Sequence, residues 1–161
     1  MKKLVLSITV LFSGLIAGLL FSYSCSVNLG LHHLSDFEYI RAMQSINKEI
    51  QNIYFLSVFV GLLLLFPLAI WTNYSASKKP VFYLLLGATI IYLLGVFVVT
   101  VFGNVPLNNQ LAEVNLSSAN QETLSMFRNQ FETDWAKFHL IRTAASMISF
   151  LLAIIAIQNQ D

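Results

Sequence analysis

Charge is segregated along this chain more sharply than any other property. Residues 4–35, 50–77, 80–112 and 143–160 contain no Asp, Glu, Lys or Arg, so nine basic and eight acidic side chains crowd into the remainder. A soluble fold spreads charge over its surface. A bilayer instead expels charge from spans of roughly 20 residues and leaves it in the connections. The pattern predicts an all-α fold, a four-transmembrane-helix bundle with short extra helices in two long outer loops. The spans fall at about 4–23, 53–71, 81–102 and 140–157, within one membrane domain over residues 1–161. With 57% of residues apolar and a formal net charge of +1, the chain has no electrostatic basis for binding nucleic acid.

Lys2 and Lys3 ahead of an apolar stretch resemble a signal peptide, but the stretch from Leu4 to Phe21 exceeds the usual h-region of about 7–15 residues. Gly14, Gly18, Ser22 and Ser26 add a stripe of small residues at four-residue spacing, the pattern that lets helices approach closely in lipid. The first span is therefore expected to be retained and its stripe to pack. Four crossings put both termini on one side. Lys2, Lys3, Lys78 and Lys79 lie densely there, which predicts cytoplasmic termini in the cell membrane and two loops facing outward.

The outer loops carry helix signals. Ser35-Asp36-Phe37-Glu38 is a capping box, and Phe37, Ile40, Met43, Ile46 and Ile50 follow at helical spacing. This predicts an amphipathic stalk running on into the second span. Pro67 is expected to kink that span. Gly103, Asn104, Pro106, Asn108 and Asn109 are expected to break the third helix, with a short helix restarting at Pro106. A last helical pattern through Phe127, Phe131, Trp135, Phe138 and Ile141 leads into the fourth span and places Trp135, His139 and Arg142 on one face.

The candidate functional side chains are His139 and Arg142 as catalytic groups, with Asn104, Asn108, Trp135, His32 and Arg41 as substrate-binding groups. All belong to the same end of the predicted bundle, where packed helices lie about 8–10 Å apart. Each also has a structural reading. Arg142 would snorkel to the interface, Asn104 and Asn108 would cap helix ends, and Trp135 would join an aromatic belt. Cys25 reads as a small buried side chain, and as the one cysteine it excludes an internal disulfide or dithiol relay. His32, His33 and His139 have no carboxylate or thiolate at a ligand interval, so no metal site is expected. Phosphate-loop, HExxH and polybasic patterns are missing, as is a lipidation signal.

Five stretches carry a family resemblance. They are Ser24-Cys25-Ser26-Val27-Asn28, Leu31-His32, the run from Tyr39 to Asn47, Gly103-Asn104-Val105-Pro106-Leu107-Asn108, and Trp135-x3-His139-x2-Arg142-Thr143. Together the chain resembles the anthrone oxygenase-like family of small four-span membrane proteins. The resemblance implies that Asn104, Pro106, Asn108, Trp135, His139 and Arg142 are family-typical positions. Some members are oxygenases of aromatic polyketide pathways that convert an anthrone to an anthraquinone without metal or flavin. It therefore implies a cofactor-independent oxygenase acting on a hydrophobic phenolic substrate drawn from the lipid. His139 would be the base, Arg142 with Asn104 and Asn108 the oxyanion donors, and Trp135 a stacking surface. The competing reading is a non-catalytic structural or accessory membrane protein in which Arg142, Asn104 and Asn108 form a buried polar clamp tying the outer loops to the bundle. A transporter is disfavoured, because no charge falls at a span's midpoint.

Overall fold

Backbone amides in hydrocarbon must be satisfied within their own segment, so each charge-free stretch is driven to helix. The computed structural model describes residues 2–74 and 79–160 and contains five helices there, with no strand among the described residues. They are α1 (Lys2–His32), α2 (Asp36–Glu49), α3 (Ile53–Asn73), α4 (Lys79–Ala112) and α5 (Gln121–Gln158). All but α2 are long and apolar enough to cross a membrane, which makes this a multi-pass membrane protein of all-α class. Lys78, counted among the cytoplasmic lysines, lies outside the described residues.

The bundle is stacked in three apolar layers. Leu6, Ala69, Val81, Leu85 and Ala156 pack at the end that holds both chain termini. Leu62, Phe66, Ala88, Tyr92 and Val96 fill the middle. Tyr39, Ile40, Met43, Leu111, Leu124, Phe131 and Trp135 form a head at the other end. Between layers, helices close on small or hydroxylated side chains. Ser149 Oγ donates to Ala88 O at 2.8 Å, and Tyr92 OH donates to Phe59 O at 2.7 Å. Leu4, Leu64 and Leu151 point away from every neighbour, as lipid-facing side chains do.

α1, α4 and α5 exceed the roughly 20 residues a crossing needs, and the surplus builds the head. Here several expectations are corrected. The third helix does not break at Gly103. It continues to Ala112 by widening into π turns at Tyr92–Val98 and Thr100–Asn104, where Val105 N–H bonds to Thr100 O. Pro106 lacks an N–H and its ring would press on the carbonyl four residues back, so a wider turn just before it relieves both faults. Gly103 serves close approach: a Cβ there would lie 2.7 Å from the Phe138 ring. The amphipathic helix does not run into the second span either. It stops at Glu49, and Asn52 starts α3 afresh by accepting from Phe55 N–H at 3.0 Å. Nor does it stand free, because Ile40 and Met43 are buried against α4 and α5. α3 is unbroken across Pro67.

The small stripe of α1 is also reassigned. Gly14 meets Phe150, but Gly18 has nothing within 4 Å and Ser22 and Ser26 are exposed. Packing runs instead through Thr9, Ser13, Ile16, Ala17 and Leu20. Cys25 is exposed, not buried, for the same reason: it lies on the outward side of α1.

The head is pinned by Arg128. Its Nη2 donates to His32 O at 2.7 Å and its Nη1 to Leu34 O at 2.7 Å and Asp36 Oδ1 at 3.0 Å, while Nε reaches Glu132 Oε2 at 3.2 Å. The guanidinium thereby caps the end of α1 and covers the Tyr39 ring at 4.7 Å. Burial, and secondarily the Glu132 carboxylate, push the Tyr39 hydroxyl above its ordinary value, so it stays protonated. The predicted capping box forms: Glu38 N–H donates to Ser35 Oγ, and Glu38 Oε2 accepts from Ser35 N–H and Oγ–H. Those two bonds hold the Glu38 carboxyl below its usual range. Their stabilisation is present at neutral pH and is lost as acid protonates the group.

Three substitutions test this packing. A Cβ at Gly95 would sit 2.6 Å from Ala145 Cβ, which has no rotamer with which to yield. Gly95→Ala should therefore cost about 1–3 kcal/mol in a detergent melt, while Gly18→Ala stays within about 0.5 kcal/mol of the parent. Arg128→Met should cost on the order of 2–3 kcal/mol by stranding Asp36 and two carbonyls.

Candidate functional site

α5 presents one continuous inward face, with Arg128, Phe131, Trp135, His139, Thr143, Ser146 and Ser149 all buried at helical spacing. Helical side chains lean toward the N-terminus, so His139 and Arg142 fold back over Trp135. The His139 ring stacks on Trp135 with centroids 4.8 Å apart, and the Arg142 guanidinium lies 5.0 Å from the Trp135 ring centroid. Trp135 is fixed in turn by its own polar edge. Its Nε1–H donates to Asn108 Oδ1 at 2.9 Å, and its carbonyl accepts from Asn104 Nδ2 at 3.2 Å. Five of the predicted site residues, Asn104, Asn108, Trp135, His139 and Arg142, are thus brought together.

The hydrogen bonds define the state of His139. Arg142 Nε and Nη2 lie 3.3 and 3.2 Å from His139 Nδ1. A guanidinium only donates, so Nδ1 must carry the lone pair and the ring hydrogen must sit on Nε2. Nε2 is 2.9 Å from Ser24 Oγ, whose own hydrogen goes to Leu20 O at 3.2 Å. The network assigns a neutral imidazole in the Nε2–H form. Ser24 belongs to a π turn, Tyr23–Val27, that turns Tyr23 and Ser24 toward α5. Tyr23 packs beside Trp135 and His139, with ring centroids 5.8 and 5.7 Å away.

Arg142 differs from Arg128 in one decisive respect. Arg128 meets two carboxylates. Arg142 meets none among the described residues, and its partners are an imidazole and an indole face. Its guanidinium instead lines a cavity of about 350 Å³ beneath the head. That volume is within the roughly 300–1,000 Å³ of small-molecule sites. The walls are largely apolar and aromatic, including Phe55, Phe59 and Phe97, and the polar groups include Arg142, Asn108, Tyr23 and Trp135, with Gln51, Thr100 and Asn109 toward the outside. Asn108 keeps its amide N–H bonds without a protein partner among the described residues. Asn104 is 1% exposed and its Oδ1 is unpartnered.

Two predicted residues lie elsewhere. His32 is on the surface of the head, where Nδ1 pairs with Glu132 Oε1 at 2.7 Å. Arg41 is exposed on α2. His33 lies beside His32, with rings 6.0 Å apart, and both are apart from His139. Tyr23, Ser24, Asn47 and Arg128 were not singled out from the sequence. Arg128 alone had a local signal, being seven residues before Trp135 on the same face.

The Ser24 link is directly testable. Ser24→Ala leaves the His139 Nε2–H with only the longer 3.5 Å contact to Thr143 Oγ1 and should lower stability by about 1–2 kcal/mol. It should also shift Trp135 emission, since the imidazole stacked on the indole loses its anchor; a melt and spectrum identical to the parent would contradict the assignment.

A comparison with known families gives one match: the profile described as anthrone oxygenase aligns with residues 51–152. That segment holds α3, α4 and most of α5, with Asn104, Asn108, Trp135, His139 and Arg142, and leaves Tyr23, Ser24 and Asn47 outside. No curated protein and no solved structure matches. The matched segment covers more than half of the chain, and the protein belongs to the anthrone oxygenase family.

Proposed function

We propose that the protein is an oxygenase of hydrophobic, anthrone-like phenols, working in the cavity bounded by Arg142 and Trp135 and using no metal or flavin. The observation that carries this reading is an arginine without a counter-ion facing an apolar cavity. A cation kept in hydrocarbon surroundings is costly, and an anion that forms on the substrate is what offsets the cost. An anthrone supplies one. Its ring CH₂ is acidified by the opposite carbonyl, and loss of a proton moves the electron pair onto the carbonyl oxygen.

His139 is neutral and has its free pair on Nδ1, beside the cation. His139 is 3% exposed and lies behind Arg142 rather than on the cavity wall, so Nδ1 accepts the CH₂ proton only as substrate oxygen draws the guanidinium away from it. Arg142, with the Asn108 amide, then holds the oxyanion in a site where water is scarce. The electron-rich carbon adds dioxygen to form a C–O bond, and the resulting peroxide takes back the proton from His139. Loss of water with the second C–H hydrogen leaves a carbonyl. The balance is CH₂ + O₂ giving C=O + H₂O, with the substrate as reductant. Trp135, with His139 and Phe131 stacked on it and only 4% exposed, lines the cavity and gives the planar ring an aromatic contact rather than a free face. The lysines at 2, 3, 78 and 79 support cytoplasmic termini and an outward head in the cell membrane.

A second reading has one observation in its favour: the His139–Ser24 bond ties α1 to α5, as a purely structural clamp would. Supplying the purified protein with 1,8-dihydroxyanthrone and following quinone absorbance and oxygen uptake separates the two. The oxygenase reading expects Arg142→Met to lower kcat/KM by about 10²–10³ and His139→Ala by about 10²–10⁴. It also expects Arg142→Met to melt no lower than the parent. Equal rates in parent and both variants, with Arg142→Met unfolded early, would favour the clamp.

A further inference from the structure

The cavity is not sealed on every side. α3 packs along α1 and along the first part of α4, and its last contacts toward the head are Phe59 with Tyr92 and Phe97, whose rings lie 6.2 and 5.5 Å away. Beyond that point it makes no comparable contact with residues 100–112. The two helices diverge, and the wedge between them opens into the cavity. Leu56 and Val60 form one edge of the wedge, Val101 and Val105 the other. These four line the cavity, yet they are 40, 44, 36 and 39% exposed, so they sit where the cavity meets the outside.

These four edge side chains are apolar and belong to helices long and apolar enough to cross a membrane, while Gln51, Thr100 and Asn109 also line the cavity. Polar groups lie elsewhere on the wall: Arg142, Tyr23 and Asn108, the last with amide N–H bonds that meet no acceptor among the described residues. Enclosed donors without acceptors are retained at a cost of roughly 1–3 kcal/mol each, which a ligand oxygen removes. The donors and the apolar gap therefore call for opposite ends of one molecule.

We propose that this gap is a lateral portal through which the cavity is loaded from the bilayer by a fused-ring phenol, acidic oxygen first onto Arg142 and Asn108, apolar end last between α3 and α4. This rests on the oxygenase reading for the identity of the phenol, but the portal stands on geometry alone. A planar phenol concentrates in hydrocarbon and slips between diverging helices without an aqueous transit.

The test uses the full chain in lipid nanodiscs with Trp71→Phe as background, so that Trp135 is the sole tryptophan. The probe is 1,8-dihydroxyanthraquinone, which cannot be oxidised by this chemistry, and stopped-flow quenching of Trp135 reports binding. Val60→Phe with Val101→Phe should slow association and dissociation together by roughly tenfold, leaving Kd within about twofold of the parent. Val60→Ala with Val101→Ala should speed both or leave them unchanged. Gln51→Phe, at the water-facing rim, should leave both rates unaltered. Slowing by Gln51→Phe but not by the edge pair, or slowing by the alanine pair, would overturn the proposal. So would a cavity that ignores the quinone but is quenched by a bromolipid. Portal behaviour as expected in a protein that oxidises no anthrone would retain this inference and sink the oxygenase reading.

Discussion

An arginine held at the rim of a hydrocarbon bundle without a carboxylate is the constraint around which the head is arranged. Arg142 is kept in place by an acceptor and an aromatic face that do not cancel its charge: His139 Nδ1 and the Trp135 ring. Each of those supports needs its own. Trp135 leans on Asn108 and Asn104, and His139 leans on Ser24. The chain of contacts thus runs from α4 and α1 into α5 and ends on one cation. Arg128, one layer out, shows what this protein does with an arginine whose duty is structural, surrounding it with two carboxylates and two backbone carbonyls.

The helices supply the geometry for this. α5 carries a single buried stripe from the head to the far end, so one rigid rod registers the head layer against the membrane layers. The π turns in α1 and α4 are local departures from that regularity, and both fall beside the cavity. They bring Tyr23 and Ser24 to α5 from one side and Gly103 and Asn104 from the other. π turns shift the facing of every later residue in a helix, which is how one apolar span also presents polar groups at its end.

Much of this was legible in the sequence because it depends on local physics. Segregated charge fixed the four crossings, the Ser35–Glu38 box fixed the start of α2, and the Trp135, His139, Arg142 spacing fixed a shared face. What was not legible depends on partners distant in the chain. Gly103 and Pro106 carry the local mark of a helix break, yet Phe138 across the interface needs that glycine and the wide turn accommodates that proline. The small stripe of α1 has the spacing of a packing seam, but the neighbouring helices lie on its other side. Ser24, Tyr23 and Asn47 are ordinary polar residues until long-range packing sets them against α5 or the cavity. His32 and Arg41 share an end of the bundle with the site but not its interior, a distinction periodicity alone does not make.

The central claim is that a neutral imidazole accepts from an uncompensated guanidinium, and nitrogen NMR of the protein in lipid, with labelled histidine, reads it most directly. At neutral pH the account predicts a bare Nδ1 and a protonated Nε2 for His139, with a cross-peak from Nδ1 to the Arg142 guanidinium. A doubly protonated ring, or a hydrogen on Nδ1, would contradict it.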